Sequence, residues 1–130
     1  MSMNDTLANA LSHILNCEGV GKNTCTVRNA SKIMRQVLEI MKSHGYVNKI
    51  EFKESSKGNT IVIELKGSIN DCGAIKPRFP VKVEDYEKYE KRYLPAKNFG
   101  IMIISTTKGL MTKDEAVKQK LGGKLISYCY

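Results

Sequence analysis

No stretch of the chain approaches the ~18 consecutive apolar residues that a membrane-crossing helix needs, so a bilayer partner is not expected. The opening MSMNDTLANALSHILN carries neither a basic leader nor an unbroken apolar run, which argues against secretion. Histidine is scarce. His13 and His44 are the only two, both fall on expected helices, and neither has an HxxxH partner or a nearby cysteine pair. Cys17, Cys25, Cys72 and Cys129 stand too far apart for a CxxC knuckle and read as reduced, partly buried thiols of a cytosolic protein. Neither a metal nor any other cofactor is expected. Gly21-Lys22-Asn23-Thr24 resembles the end of a Walker A loop, but Asn16 stands where the first glycine is required and the segment precedes a strand. No GxSxG frame surrounds Ser105. An enzyme with a small-molecule substrate is therefore not expected, and the alternative of a Ser105 or Thr107 nucleophile would need a general base beside it. Internal repeats and low-complexity segments are missing too.

Acidic residues are also in deficit. Against 13 Asp and Glu stand 21 Lys and Arg, giving a net charge of +8 and an isoelectric point near 9.4. Residues 1–66 contribute +3 and residues 67–130 contribute +5, so no basic tail explains the excess and the folded surface itself must attract polyanions.

Leu7, Leu11, Ile14 and Leu15 recur at helical spacing after Asp5, a residue suited to capping, and predict a helix over about 5–16. Thr24 and Val27 bound a short β-branched strand. Ser31 caps a second helix whose apolar face is Ile33, Val37, Ile40 and Met41, widened by Met34 and Leu38, and Gly45 stops it. Ile50 and Phe52, a turn through Ser55, Lys57 and Gly58, then Ile61, Ile63 and Leu65 predict a β-hairpin. The order α-β-α-β-β closes near Gly67. The fold class is thus α+β, with two small α/β domains: residues 1–67, and residues 68–130, mostly β with short helices.

In the second half the Gly- and Pro-punctuated stretch 72–80, with Pro77 and Pro80, can hold only short extended pieces. Residues 85–93 form a helix with Tyr86, Tyr89 and Tyr93 on one face and Glu87 placed to pair with Lys91. Ile101 to Ile104 is a buried strand. A polar turn, Ser105-Thr106-Thr107-Lys108-Gly109, then leads into a helix started by the capping box Thr112-Lys113-Asp114-Glu115, and a last strand follows Gly122-Gly123.

That turn is the best candidate site. Its hydroxyls suit ribose 2′-OH groups, phosphates and base edges, Lys108 supplies charge, Gly109 permits close approach, and the nearby helix N-terminus offers unpaired N–H groups. The tyrosine stripe among Lys82, Lys88, Lys91 and Arg92 mixes aromatics with cations as base-stacking surfaces do, although tyrosines at this spacing more often serve a core.

Ser105-Thr106-Thr107-Lys108-Gly109-Leu110-Met111-Thr112, followed by Glu115-Ala116 and by Gly122-Gly123-Lys124-Leu125-Ile126-Ser127-Tyr128, resembles the ribosomal small-subunit protein eight family. Asp5-Thr6-Leu7-Ala8-Asn9-Ala10-Leu11, Ala30-Ser31-Lys32 and Gly45-Tyr46-Val47 extend the resemblance over essentially the whole chain. The segment 72–79, residues 86–95 and the ending Tyr128-Cys129-Tyr130 look like the archaeal and eukaryotic branch, with archaeal favoured. Thr107-Lys108-Gly109 and Gly123-Lys124 stand where the bacterial branch has Ser-Lys-Gly and Gly-Gly-Glu. The resemblance implies a cytoplasmic ribosomal component that binds small-subunit ribosomal RNA at an irregular hairpin of the central domain, among neighbouring small-subunit proteins, and helps assemble it. It implies an RNA-reading loop of Ser105, Thr106, Thr107, Lys108 and Gly109 with Gly122, Gly123 and Lys124 beside it. Lys32 and Arg35 are second-tier phosphate contacts. Members of the family also bind a mimic of the site on their own operon messenger RNA, so a free-standing messenger-RNA hairpin regulator is the alternative function.

Overall fold

A computed structural model of the chain describes residues 6–28, 31–54, 56, 58–76, 78–96 and 99–130. Asp5, Ala30, Ser55, Lys57 and Pro77, each invoked above, lie outside the described residues. The chain divides into two units, Met1–Cys72 and Gly73–Tyr130.

In the first unit the apolar spacing of the sequence decides the core. Helix α1, Thr6–Gly19, buries Leu7, Ala10, Leu11, Ile14 and Cys17. It ends in a Schellman arrangement: the Lys22 N–H donates to the Cys17 carbonyl (3.0 Å), the Gly21 N–H donates to the Glu18 carbonyl (3.1 Å), and Gly21 takes φ +76°. The glycine and lysine that resemble a phosphate loop therefore close a helix. Strand β1 (Thr24–Arg28) buries Cys25 and Val27. Helix α2, Lys32–Ser43, starts as expected, with Ser31 Oγ accepting from the Met34 N–H (3.3 Å), and Gly45 and Tyr46 close its far end onto the Lys42 and Met41 carbonyls. Its buried face is Met34, Val37, Leu38 and Met41. Ile33 and Ile40, placed at the centre of that face from sequence, are only half-buried at its margins.

Strands β2 (Val47–Lys53) and β3 (Thr60–Leu65) complete an antiparallel sheet in the order β1-β3-β2, with Ile61, Ile63 and Leu65 buried beneath the helices. The expected order α-β-α-β-β is the observed one. Glu18 then reaches the segment after β3, its two carboxylate oxygens accepting from the Gly67 N–H (3.2 Å) and the Ile69 N–H (2.8 Å). Those bonds hold residues 67–69 to α1, so the first unit continues past Gly67.

The second unit is a sheet in the order β4-β8-β6-β7, with β5 pairing the start of β8; these strands span Cys72–Ala74, Gly123–Cys129, Ile101–Thr106, Gly109–Thr112 and Pro80–Val81 respectively. Helix α3 (Tyr86–Tyr93), preceded by a 3-10 turn at Val83–Asp85, and helix α4 (Lys113–Lys118) cover its core of Ile75, Val81, Tyr86, Leu94, Met102, Ile104, Met111, Ala116 and Leu125. The tyrosine stripe belongs to this core and its margin. Tyr86 is buried with its hydroxyl donating to the Leu121 carbonyl (2.9 Å), Tyr89 packs on Phe79 (5.6 Å between centroids), and Tyr93 stacks on Tyr128 (5.6 Å). The helix also carries a buried carboxylate: Glu90 Oε2 accepts from Lys113 Nζ at 2.7 Å, with side chains only 5% and 14% exposed. Sequence spacing had pointed to Glu87 and Lys91 on that helix, both of which are exposed.

Candidate functional site

The five-residue stretch 105–109 is a β-hairpin tip, where the sequence predicted a loop running straight into a helix. Strands β6 and β7 pair through Ser105↔Leu110 and Thr106↔Gly109, leaving Thr107 and Lys108 as the exposed turn residues. Neither has positive φ, whereas Gly109 sits at φ +109°. The register runs unbroken to the tip, so the two strands are joined by a two-residue turn of ordinary φ with the glycine at the first position of the return strand. A side chain at Gly109 would be strained, so the glycine is dictated by the turn.

Thr106 organises the tip. Its Oγ1 donates to the Gly109 carbonyl (2.8 Å) and accepts from the Lys108 N–H (3.1 Å), so this hydroxyl is engaged inside the turn. Among the three hydroxyls of the expected site, Ser105 and Thr107 are the ones left to face outward, Ser105 half-buried and Thr107 exposed. Three residues of β7, Leu110 to Thr112, separate Gly109 from α4, whose first turn is capped by Thr112: Oγ1 accepts from the Glu115 N–H (3.4 Å) and donates to Glu115 Oε1 (3.3 Å). The Thr112 cap forms as predicted, with the Glu115 carboxylate returning to the Thr112 hydroxyl and not to its backbone N–H, and the helix start is not at the turn. The β7 segment was missed because Leu110 and Met111 are too short a run to show a period of two.

Beside the tip, β8 enters the sheet. Lys124 stands opposite Ser105 across β6 and opposite Pro80 across β5, and Gly123 stands opposite Val81. A β-bulge between Ile103 and Ile104 shifts the register there. The backbones approach so closely that a Cβ on Gly123 would strike the Ser105 carbonyl oxygen and come within 2.8 Å of Ile104 Cγ2, while one on Gly122 would come within 2.9 Å of the Val81 carbonyl oxygen. The paired glycines thus have a packing reason to be there, independent of any ligand.

Together these segments form an open groove of about 660 Å³. Its walls are Pro80, Val81 and Lys82 on one side, Ser105, Thr106 and Thr107 on the other, with Gly122, Gly123 and Lys124 between. That volume lies within the range of small-ligand sites. Lys82 and Lys124 at its margin and Lys108 at the tip are exposed. No histidine, cysteine or carboxylate lines it among the described residues, so the groove offers neither a general base for a hydroxyl nucleophile nor a metal-ligand set. Sequence reasoning brought the 105–109 and 122–124 segments together. It missed Pro80, Val81 and Lys82, because a two-residue strand leaves no pattern to read.

Lys32 and Arg35 lie in the first unit on the exposed face of α2. Arg35 is already engaged: its guanidinium lies 4.4 Å from the Phe52 ring centroid and its Nε is 3.4 Å from Glu39 Oε1. Lys32 is exposed.

Residues 5–130 match the family described as Ribosomal protein S8. The chain is also 52% identical over 126 residues to the small ribosomal subunit protein uS8 of Archaeoglobus fulgidus, a match covering 97% of this chain and 98% of that protein.

Proposed function

The chain belongs to the ribosomal protein S8 family and is a small ribosomal subunit protein, and from that premise we propose that it binds small-subunit ribosomal RNA directly, at an irregular hairpin of the central domain, and helps that domain assemble on the cytoplasmic ribosome beside neighbouring small-subunit proteins. The observation that carries this reading is the groove beside the hairpin tip: hydroxyls on one wall, main chain on its floor and three lysines around it, with no acidic residue in its lining. Such a surface suits splayed bases, 2′-OH groups and phosphates better than the face of a regular duplex.

Residues 68–130 hold the RNA-reading role, with Ser105, Thr107, Lys108, Gly122, Gly123 and Lys124 at or beside the RNA and with Thr106 and Gly109 holding the tip in shape. Residues 1–67 add affinity with little discrimination, through Lys32 and, less strongly, Arg35. The same surface would accept a messenger-RNA hairpin that mimics the ribosomal one.

Binding of the full chain to an irregular ribosomal hairpin and to a regular duplex of equal length, in one buffer, tests the reading. The hairpin is expected to bind more tightly. Lys108→Ala weakens both RNAs alike and flattens the plot of log affinity against log salt by roughly 0.7–0.9, the effect of one fewer neutralised phosphate. Thr107→Ala leaves that slope nearly unchanged and lowers affinity for the hairpin by about 1–3 kcal/mol, because a desolvated RNA group loses its partner. Equal affinity of the unaltered chain for both RNAs would refute recognition by the groove.

A further inference from the structure

Away from the groove, the first unit gathers donor atoms that the RNA reading does not use. His13 and Cys17 are one helical turn apart on α1, and Cys25 lies on β1, which packs against that helix. Imidazole nitrogen and both sulfurs lie within 4.8 Å of one another, and His13 Nε2 is 3.9 Å from Cys17 Sγ. Cys17 and Cys25 are buried, whereas His13 is exposed. Small apolar side chains would fill the space beneath α1 as well as two thiols do. What the thiols add is a pair of soft donors beside an exposed imidazole.

Bond lengths decide what such a set can hold. Zinc bound at ~2.3 Å by sulfur and ~2.0–2.1 Å by nitrogen in tetrahedral geometry spaces its donors roughly 3.5–3.8 Å apart. The His13–Cys17 separation is already close to that value, and rotamer adjustment of about 1.3 Å at most would bring the remaining donors onto it. A hard cation such as magnesium would find no oxygen ligand among these three, while thiolate and imidazole together select a thiophilic ion.

We propose that His13, Cys17 and Cys25 form a binding site for one thiophilic metal ion of the zinc class, with water in the fourth position. The ion binds as the two thiols release their protons to solvent, and no oxidation or reduction is involved. Its effect is to pin α1 to β1 and so to stabilise the first unit.

Neither a CxxC nor an HxxxH search finds this set, because two ligands follow a helical i, i+4 spacing and the third arrives from a strand.

Cobalt titration of the full chain, reduced and stripped of metal with a chelator, tests the proposal. A thiolate-to-cobalt charge-transfer absorption is expected to saturate at one ion per chain, to bleach when zinc is added, and to survive in Cys72→Ser and Cys129→Ser. Cys17→Ser and Cys25→Ser should each abolish it. His13→Ala alters an exposed side chain, so it leaves the circular dichroism of the chain unchanged and weakens zinc at least about ten-fold, the lower end of what losing even an outer-shell partner does. The thermal midpoint of the unaltered chain should rise with zinc and that of His13→Ala should rise less. Absence of the absorption in the unaltered chain, its persistence in the Cys17 and Cys25 variants, or an unchanged zinc affinity in His13→Ala each overturns the site. If the serine variants fail to fold, the His13→Ala measurement alone decides.

Discussion

The two units of this protein are held together by different physics. The first is an apolar helix pair on a three-stranded sheet, with both helix C-termini closed by local hydrogen bonds and a core of Leu, Ile, Val and Met side chains. The second keeps polar groups inside: the Glu90–Lys113 pair, the capping hydroxyl of Thr112, the Ser127 hydroxyl and the Tyr86 phenol. It also brings main chain against main chain at Gly122 and Gly123. The contrast teaches that the part proposed to read RNA is the part whose folding depends on specific polar contacts inside its core. Hydrophobic packing tolerates change gradually, whereas an unpartnered buried charge does not.

The sharpest test of that contrast is Glu90→Ala. Removing the carboxylate leaves Lys113, which is only 14% exposed, with Asp114 at 3.0 Å as its remaining ionic partner. The expected loss is about 3–5 kcal/mol in urea unfolding of the full chain, towards the lower end because Asp114 persists. A loss below about 1 kcal/mol would mean that the pair does not hold the second unit together and that the two units are alike in this respect.

Alkali should separate the units by the pH at which each begins to loosen. In the first, burial pushes the Cys72 thiol from its ordinary 9.0 up to about 12, helped by the charges of Asp71 and Glu18. In the second, burial raises the Tyr86 phenol above its ordinary 10.0; burial alone would lower Lys113, but hydrogen bonds to Glu90 and Asp114 carry it above its ordinary 10.5. For every one of these groups the unfolded chain loses its proton first. Their stabilisation is therefore complete below pH 9 and declines as pH rises through and above it. Cys72 contributes a decline of about 1.4 kcal/mol per pH unit between 9 and 12. Urea unfolding at successive pH values, followed by probes in each unit, should show the first unit weakening before the second. The reverse order would show that Tyr86 and Lys113, rather than the buried thiol, set alkaline stability.

The smallest effect is expected from Ser127→Ala. Ser127 Oγ is buried with no hydrogen-bond partner among the described residues. Removing an unsatisfied hydroxyl should leave stability unchanged or raise it by up to about 1 kcal/mol. A loss of more than about 1 kcal/mol in the same denaturant assay would mean that the hydroxyl is partnered in solution.

What could be read from the sequence divides along the same line. The first unit's elements were legible because short-range patterns specify them: Leu7, Leu11 and Ile14 at helical spacing, Ser31 at a cap, Ile61, Ile63 and Leu65 in alternation. The Thr112 capping box and the buried run Ile101 to Ile104 were equally local. Strand β7 and the two-residue β5 were not, since neither is long enough to show a period. Glu90 was overlooked in favour of Glu87 because its partner Lys113 is distant in sequence, and the 105–109 and 122–124 segments were joined through a family resemblance, with no pattern in the residues linking them. The His13, Cys17 and Cys25 cluster escaped for the same reason, its third donor arriving through tertiary contact.

The close backbone approach at Gly123 bears on how the groove can evolve. Because its floor is peptide backbone, held by strand pairing at Ser105↔Lys124 and Val81↔Gly123, substitution there has little to vary except whether the sheet closes at all. Drift and engineering must then act on the rim, at Lys82, Thr107, Lys108 and Lys124, where side chains can be exchanged without moving a strand. The outline of the groove is inherited with the fold and only its fringe is adjustable, so under the proposed RNA-reading role homologues that differ in the RNA they prefer should differ at those four positions first.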